Sequence, residues 1–143
     1  MNLGTINDYR VWALLSALFA GLTAILAKKG VEQVPSNLAL FVRIVVILVF
    51  SGAIMLATKQ ANFAKITSTA WLFLTLSGIA TGLSWLCYFR ALQAGPVSKV
   101  APIDKLSFLI AVVLGMVLLK EAPNMKTILG SLVIGVGVLI TIL

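Results

Sequence analysis

Residues 38–57 read LALFVRIVVILVFSGAIMLA, an unbroken apolar stretch whose single charge is Arg43. A helix of about 20 such residues rises 1.5 Å per residue and crosses a hydrocarbon core about 30 Å thick. Pro35-Ser36-Asn37 precedes it, and a proline with two residues that favour N-caps suits a helix start. Four comparable segments lie on either side of this one. The span at 11–27 opens at Trp12 and closes on Lys28-Lys29-Gly30, an interfacial aromatic, an apolar body and a basic stop. The span at 70–94 has Trp71 near one face and Tyr88-Phe89-Arg90 near the other, and is long enough to cross with some tilt. Gly95-Pro96 then breaks the pattern; a fourth span covers 97–119 and ends on Lys120-Glu121-Ala122-Pro123, and a fifth covers 126–143.

Composition agrees. Hydrophobic residues make up 61% of the 143 and charged residues 10%, against about 45–50% and about 25% in soluble domains. The expected fold is therefore an all-α membrane protein of five transmembrane helices, one domain over 1–143, with the lipid bilayer as solvent. Loops of roughly ten residues leave no room for a second domain. Asp8 and Arg10 before the first apolar block, without a small-residue cleavage pattern, read as the start of a retained helix.

The formal charge of +7 does not indicate nucleic acid. Lys and Arg occur singly or as one pair, never as a patch interleaved with aromatics, and instead punctuate apolar blocks as head groups select. With no His and only Cys87, the usual metal-ligand sets and nucleophile machinery are missing. No enzyme activity, metal or cofactor is expected.

Five spans put the termini on opposite sides, so the positive-inside rule is applied by counting alternate loops. Arg10, Lys59, Lys65, Lys120 and Lys126 fall on the N-terminal side; Lys28, Lys29, Arg90, Lys99 and Lys105 fall on the other, with Arg43 near that face. The sides nearly balance. Two readings remain open: dual insertion and antiparallel pairing, or chance in a chain with few charges.

Arg90-Ala91-Leu92-Gln93-Ala94-Gly95-Pro96, then Val100-Ala101-Pro102-Ile103-Asp104-Lys105-Leu106-Ser107, then Leu118-Leu119-Lys120-Glu121, then Gly130-Ser131-Leu132-Val133-Ile134-Gly135-Val136-Gly137-Val138 form an ordered set, extended by Lys28, Pro35 and Arg43. As a set, these blocks resemble the EamA-like branch of the drug/metabolite transporter superfamily. The resemblance implies one inverted-repeat half of a ten-helix transporter fold. Typical members join two such units in tandem, so a single unit is expected to work as an antiparallel homodimer or with another short membrane chain. The small multidrug resistance proteins, four-helix cousins in that superfamily, use a glutamate in their first helix for proton-coupled drug export. The first helix here offers Ser16 and Thr23, so that route is not expected.

An ionised side chain at the bilayer centre costs on the order of 3 kcal/mol, so charges inside spans are candidate functional groups. Asp104 and Lys105 lie about 10 Å into the fourth span at 1.5 Å per residue. Neighbours on a helix diverge by about 100°, so neither is expected to neutralise the other. Asp104 or Lys105 facing a wet cavity would bind a charged substrate or, for Asp104, a proton; the other reading has Lys105 snorkelling and Asp104 pairing locally. Arg43 is expected to anchor at phosphate or to join an interhelical ion pair rather than to contact substrate, and Glu121 to set a helix end rather than to meet substrate. Trp85 and Tyr88 are read either as substrate-stacking or as belt aromatics. Gly78 with Gly82, and Ser131 with Gly135, have the four-residue spacing of small residues that lets helices approach closely; at Gly78 and Gly82 it would either let the third helix pack tightly or leave space for a substrate cavity. Ser131 and Gly135 are candidates for a protomer contact or for intrachain packing. Gly95, Pro96 and Pro102 mark a tight connection or a hinge.

Together these features predict a multi-pass carrier of a small-molecule metabolite, an exporter in the plasma membrane (the inner membrane of a bacterial or archaeal cell), working by alternating access. The alternative is a non-transporting accessory membrane subunit, for example of a lipid-processing complex.

Overall fold

The computed structural model describes residues 8–143, and among these every regular element is helical. The helices are α1 (Tyr9–Val31), α2 (Ser36–Ala57), α3 (Ser68–Ala94), α4 (Val97–Asp104), α5 (Leu106–Leu118) and α6 (Met125–Ile142), with one 3₁₀ turn at Phe63–Lys65. Tyr9–Val31, Ser36–Ala57, Ser68–Ala94, Val97–Leu118 and Met125–Ile142 are each long and apolar enough to cross a membrane. Large apolar side chains such as Leu48, Phe50, Leu118 and Ile140 are about two-thirds exposed. In water that surface would drive aggregation, whereas in lipid it is the solvated surface, and helices satisfy their own backbone groups there.

The helix ends follow local chemistry. Asp8 caps α1, its carboxylate accepting from the Arg10 N–H at 2.9 Å. Asn124 caps α6, accepting from the Thr127 N–H at 2.9 Å and the Thr127 hydroxyl at 3.1 Å. Helix α1 runs past the basic stop to Val31, because Lys28 and Lys29 in a last turn complement the negative end of the helix dipole. Helix α2 begins at Ser36 with Pro35 at its cap and no side-chain capping bond. It ends in a Schellman motif: the Gln60 N–H donates to the Met55 carbonyl at 3.0 Å, and the Lys59 N–H to the Leu56 carbonyl at 3.1 Å. Lys59 takes φ 55° there, a left-handed conformation that glycine ordinarily fills.

The fourth span departs from the continuous helix expected over 97–119: it is interrupted at Lys105. Pro102 lies inside α4 and has no N–H to donate back to the preceding turn. Downstream, the Lys105 N–H donates to the Pro102 carbonyl at 3.0 Å and the Phe108 N–H to the Lys105 carbonyl at 3.2 Å. Both are i→i+3 bonds, tighter than those of an α-helix, and they mark the seam between α4 and α5.

Contacts gather the chain into two compact units, the first running through Ala94 and the second being Gly95–Leu143. In the first, α1, α2 and α3 pack pairwise. Its buried residues lie in the last turns of α1 (Ala24, Val31), the first turns of α2 (Ser36, Leu40) and the last turns of α3 (Phe89, Leu92). The bundle is thus closed at one end. In the second, α6 packs on both α4 and α5.

Candidate functional site

The closed end of the first unit is held by polar bonds as well as by packing. The Lys28 ammonium donates to the Leu92 carbonyl at 2.8 Å, and the Gln93 amide donates to the carbonyls of Val31 and Val34, each at 3.3 Å. Leu92 is fully buried. A cation on a carbonyl of the last turn satisfies an acceptor that the helix cannot, and joins α1 to α3 across 64 residues of sequence. The Arg90–Pro96 block thereby acquires a structural role for two of its members. Lys28 and Gln93 were legible as a basic stop and a block member, not as partners.

Above this end lies the candidate site. Arg43, partly buried, sits about two turns into α2, with its guanidinium 4.4 Å from the centroid of the Trp85 ring and 5.4 Å from that of Phe89. Trp85 and Phe89 are four residues apart on α3 and so share a face. Tyr88 is within electrostatic reach of the same guanidinium. This corrects the interhelical ion pair expected for Arg43. Lys105 forms an ion pair with Asp104, whereas Arg43 is met by aromatic faces. Such stacking is worth about 0.5–2 kcal/mol and leaves the in-plane N–H groups of the fork as donors.

Beside Arg43 a groove of about 510 Å³ runs between α1 and α2, lined by Thr23, Leu26, Ala27 and Gly30 of α1, Leu38, Ala39 and Val42 of α2, and Phe89 of α3. Its lining is apolar except for the Thr23 hydroxyl and the Arg43 guanidinium. That composition, a large apolar surface with a few placed polar groups, is the usual make-up of a small-molecule site. Thr23, noted in the sequence as a polar residue of the first helix, falls in this groove, and Phe89, a missed member, completes its floor. The i, i+4 spacing of Trp85 and Phe89 was the available signal.

The second unit carries the other intramembrane charges. Lys105 Nζ lies 3.6 Å from Asp104 Oδ2. The expectation that these neighbours would not neutralise each other assumed a regular helix. The interruption at Lys105 removes that regularity, and the flexible lysine stem turns back to its neighbour. Pro102 stands three residues upstream of Lys105, inside α4, while Pro96 is the α4 N-cap. Glu121 returns to its own helix: its N–H donates to the Gly115 carbonyl at 3.2 Å, and a Cβ on Gly115 would stand 3.1 Å from its Oε2. Lys120 takes φ 55° beside it, beyond the end of α5.

Ser131 and Gly135, candidates for a protomer contact, are buried within the second unit, and a Cβ on Gly135 would meet Leu109 Cδ1 at 2.8 Å. Gly135 serves the intrachain packing of α6 on α5. Gly78 and Gly82 have open space where a side chain would stand and border a shallow groove with Ile44, Ser77, Thr81 and Trp85. Cys87 is exposed.

Comparison with known proteins places the chain. The profile of the EamA-like transporter family matches residues 9–143. A curated relative from Sinorhizobium sp., named "Uncharacterized transporter in cobO 3'region", is 48% identical over 135 residues, covering 94% of this chain and 96% of its own length. No solved structure matches.

Proposed function

The chain belongs to the EamA-like transporter family, and from that membership we propose that it carries a small organic metabolite across the membrane through the groove beside Arg43. It is a multi-pass membrane transporter; the substrate site, direction and assembly are the proposal. The observation that carries the site is a charged side chain retained inside a span, faced by two rings and opening onto an apolar groove large enough for an organic molecule. An intramembrane charge is unfavourable enough to need a reason, and substrate recognition is the usual one.

The working form is proposed to be an antiparallel homodimer in the plasma membrane, exporting by alternating access. The relative is matched over 96% of its own length by this five-helix unit, and inverted repeats pair around a midplane site in many carriers. The near balance of basic residues between the two sides supports insertion in both orientations. The Asp104–Lys105 pair at the seam of the fourth span is the proposed second polar element, with Gly95, Pro96 and Pro102 as the segment about which α4 moves.

The test is flux by purified protein in liposomes, comparing retention of a mixed metabolite pool with that of protein-free vesicles by mass spectrometry. Selective loss or gain of some solutes is the expected result. Vesicles indistinguishable from protein-free ones across the pool would overturn the transport reading in favour of an accessory subunit. Assembly is tested separately with Cys87→Ala chains bearing one thiol at Gln33 or Asn62. Partial labelling of both from outside is expected; full labelling of one and none of the other would remove the homodimer in opposite orientations.

A further inference from the structure

The charge inside the groove also bears on what the groove accepts. Resting on the proposed transport site, we infer that the ligand is an organic anion: an oxyanion head, carboxylate or phosphate, bound by Arg43, with an apolar body lying along α1 against Thr23, Leu26 and Ala27. Three observations lead there. The only formal charge in the groove lining is positive. The acidic residues of the first unit are Asp8, at the cap of α1, and Glu32, just past its end, and neither lines the groove. Among the described residues no carboxylate pairs with Arg43.

The rings add direction. The Arg43 Cζ lies over the rings of Trp85 at 4.4 Å and Phe89 at 5.4 Å; rings accept no N–H bonds from the plane of the fork as a carboxylate does, so its donors are left for a planar carboxylate or a phosphate, which accepts two parallel bonds. A cationic ligand would meet a like charge in a poorly screened site. A neutral one would return at most hydrogen bonds to uncharged acceptors, roughly half as strong as those to an oxyanion. The groove, at about 510 Å³, holds a body of roughly ten to twenty heavy atoms beyond the head. An oxyanion head of this kind is found both on soluble metabolites and on anionic lipids, so the test separates them.

Binding is read from Trp85 itself. In a Trp12→Phe, Trp71→Phe background it is the remaining tryptophan of the three, and its ring already touches the cation that the anion would reach. The protein in phosphatidylcholine nanodiscs is titrated with 4-phenylbutyrate, 4-phenylbutylammonium and 4-phenylbutanol, which share one body. A saturable change with the carboxylate is expected, with the ammonium and the alcohol at least about tenfold weaker. Arg43→Gln should weaken the carboxylate by about tenfold or more, and Arg43→Lys by less, since a charge remains without the fork. Ala27→Phe, which fills the groove and leaves Arg43 in place, should also abolish binding; it serves if Arg43→Gln does not fold. Equal affinity for all three ligands, or full affinity in folded Arg43→Gln or Ala27→Phe, would overturn the inference. With part of the lipid replaced by phosphatidylglycerol, Arg43-dependent competition would identify a lipid headgroup as the anion, and undiminished binding a soluble one. The liposome flux experiment distinguishes the two levels. Carboxylate binding without flux of any solute keeps this site and removes the transport reading; flux of solutes unaffected by Arg43→Gln keeps transport and removes this site.

Discussion

Arg43 and the Asp104–Lys105 pair are both charges within membrane spans, and the protein accommodates them by opposite means. Arg43 draws on another helix: its guanidinium lies over Trp85 and Phe89 of α3, and that face is held in place by the closed end of the bundle, where Leu92 is fully buried and Lys28 binds its carbonyl. Asp104 and Lys105 draw on each other, 3.6 Å apart at a seam between two helices, with the lysine side chain 57% exposed. The first is a tertiary device and depends on distant residues. The second is local and depends on an irregular backbone. A charge held by the scaffold keeps its N–H donors available to a ligand, whereas a charge held by its neighbour has spent part of its capacity already.

Perturbing the scaffold should therefore affect the Arg43 site most. Leu92→Ala empties a fully buried position at the closed end and is expected to cost about 2–5 kcal/mol, toward the lower end where lipid chains fill part of the space. Equilibrium unfolding in mixed micelles measures it, and Trp85 emission should shift with it. A loss well under that range would mean the closed end does not hold the site. Lys28→Met keeps the stem and removes the bond to the Leu92 carbonyl. It should cost about 1.5–3 kcal/mol, the value of a hydrogen bond from a charged donor.

Trp85→Leu tests the aromatic face directly. A loss of about 0.5–2 kcal/mol in the same unfolding assay is expected, with Trp85→Phe retaining part of it. If both variants match the parent, the ring contributes contact area and no attraction for the cation. The smallest effect should be at the local pair. With Lys105 able to extend its stem toward the interface, Asp104→Asn should change stability by less than about 1 kcal/mol; a loss near the ~3 kcal/mol of a charge held in hydrocarbon would mean that it cannot. The uptake profile of that variant across pH is the more informative measurement. A profile that moves would make Asp104 a proton-exchanging group, and one that does not would confine it to pairing with Lys105.

Much of this architecture is legible in the sequence because the bilayer imposes a local criterion. The stretch at 38–57 lies inside a helix observed at Ser36–Ala57, and the other spans agree to within a few residues at most ends. Asn124 and Asp8 act as caps through bonds spanning two or three residues, which a linear reading can reach. Relations across helices were less legible. Lys28 reads as a basic stop, and nothing in its neighbourhood names Leu92 as its acceptor. Arg43 reads as a snorkelling or ion-paired residue, because a sequence without paired positions does not reveal which α3 face it meets. The seam at Lys105 is intermediate: Pro102 announces a disturbance, but the break falls three residues downstream, where i→i+3 bonds replace the helical pattern. Ser131 and Gly135 show the same limit, since four-residue spacing identifies a close-packing face without saying whether the partner is α5 or another chain.

The sequence alone thus determined the solvent, the number of spans, the family resemblance and the residues whose charge needs explaining, because transfer into lipid and helix capping act residue by residue. The tertiary structure decided which of those charges meets which partner. Cation–ring stacking, the lysine bond to Leu92 and the packing of Leu109 against Gly135 depend on distances between segments that are far apart in the chain. Those distances are set by how helix faces pack, a collective outcome that no single stretch encodes.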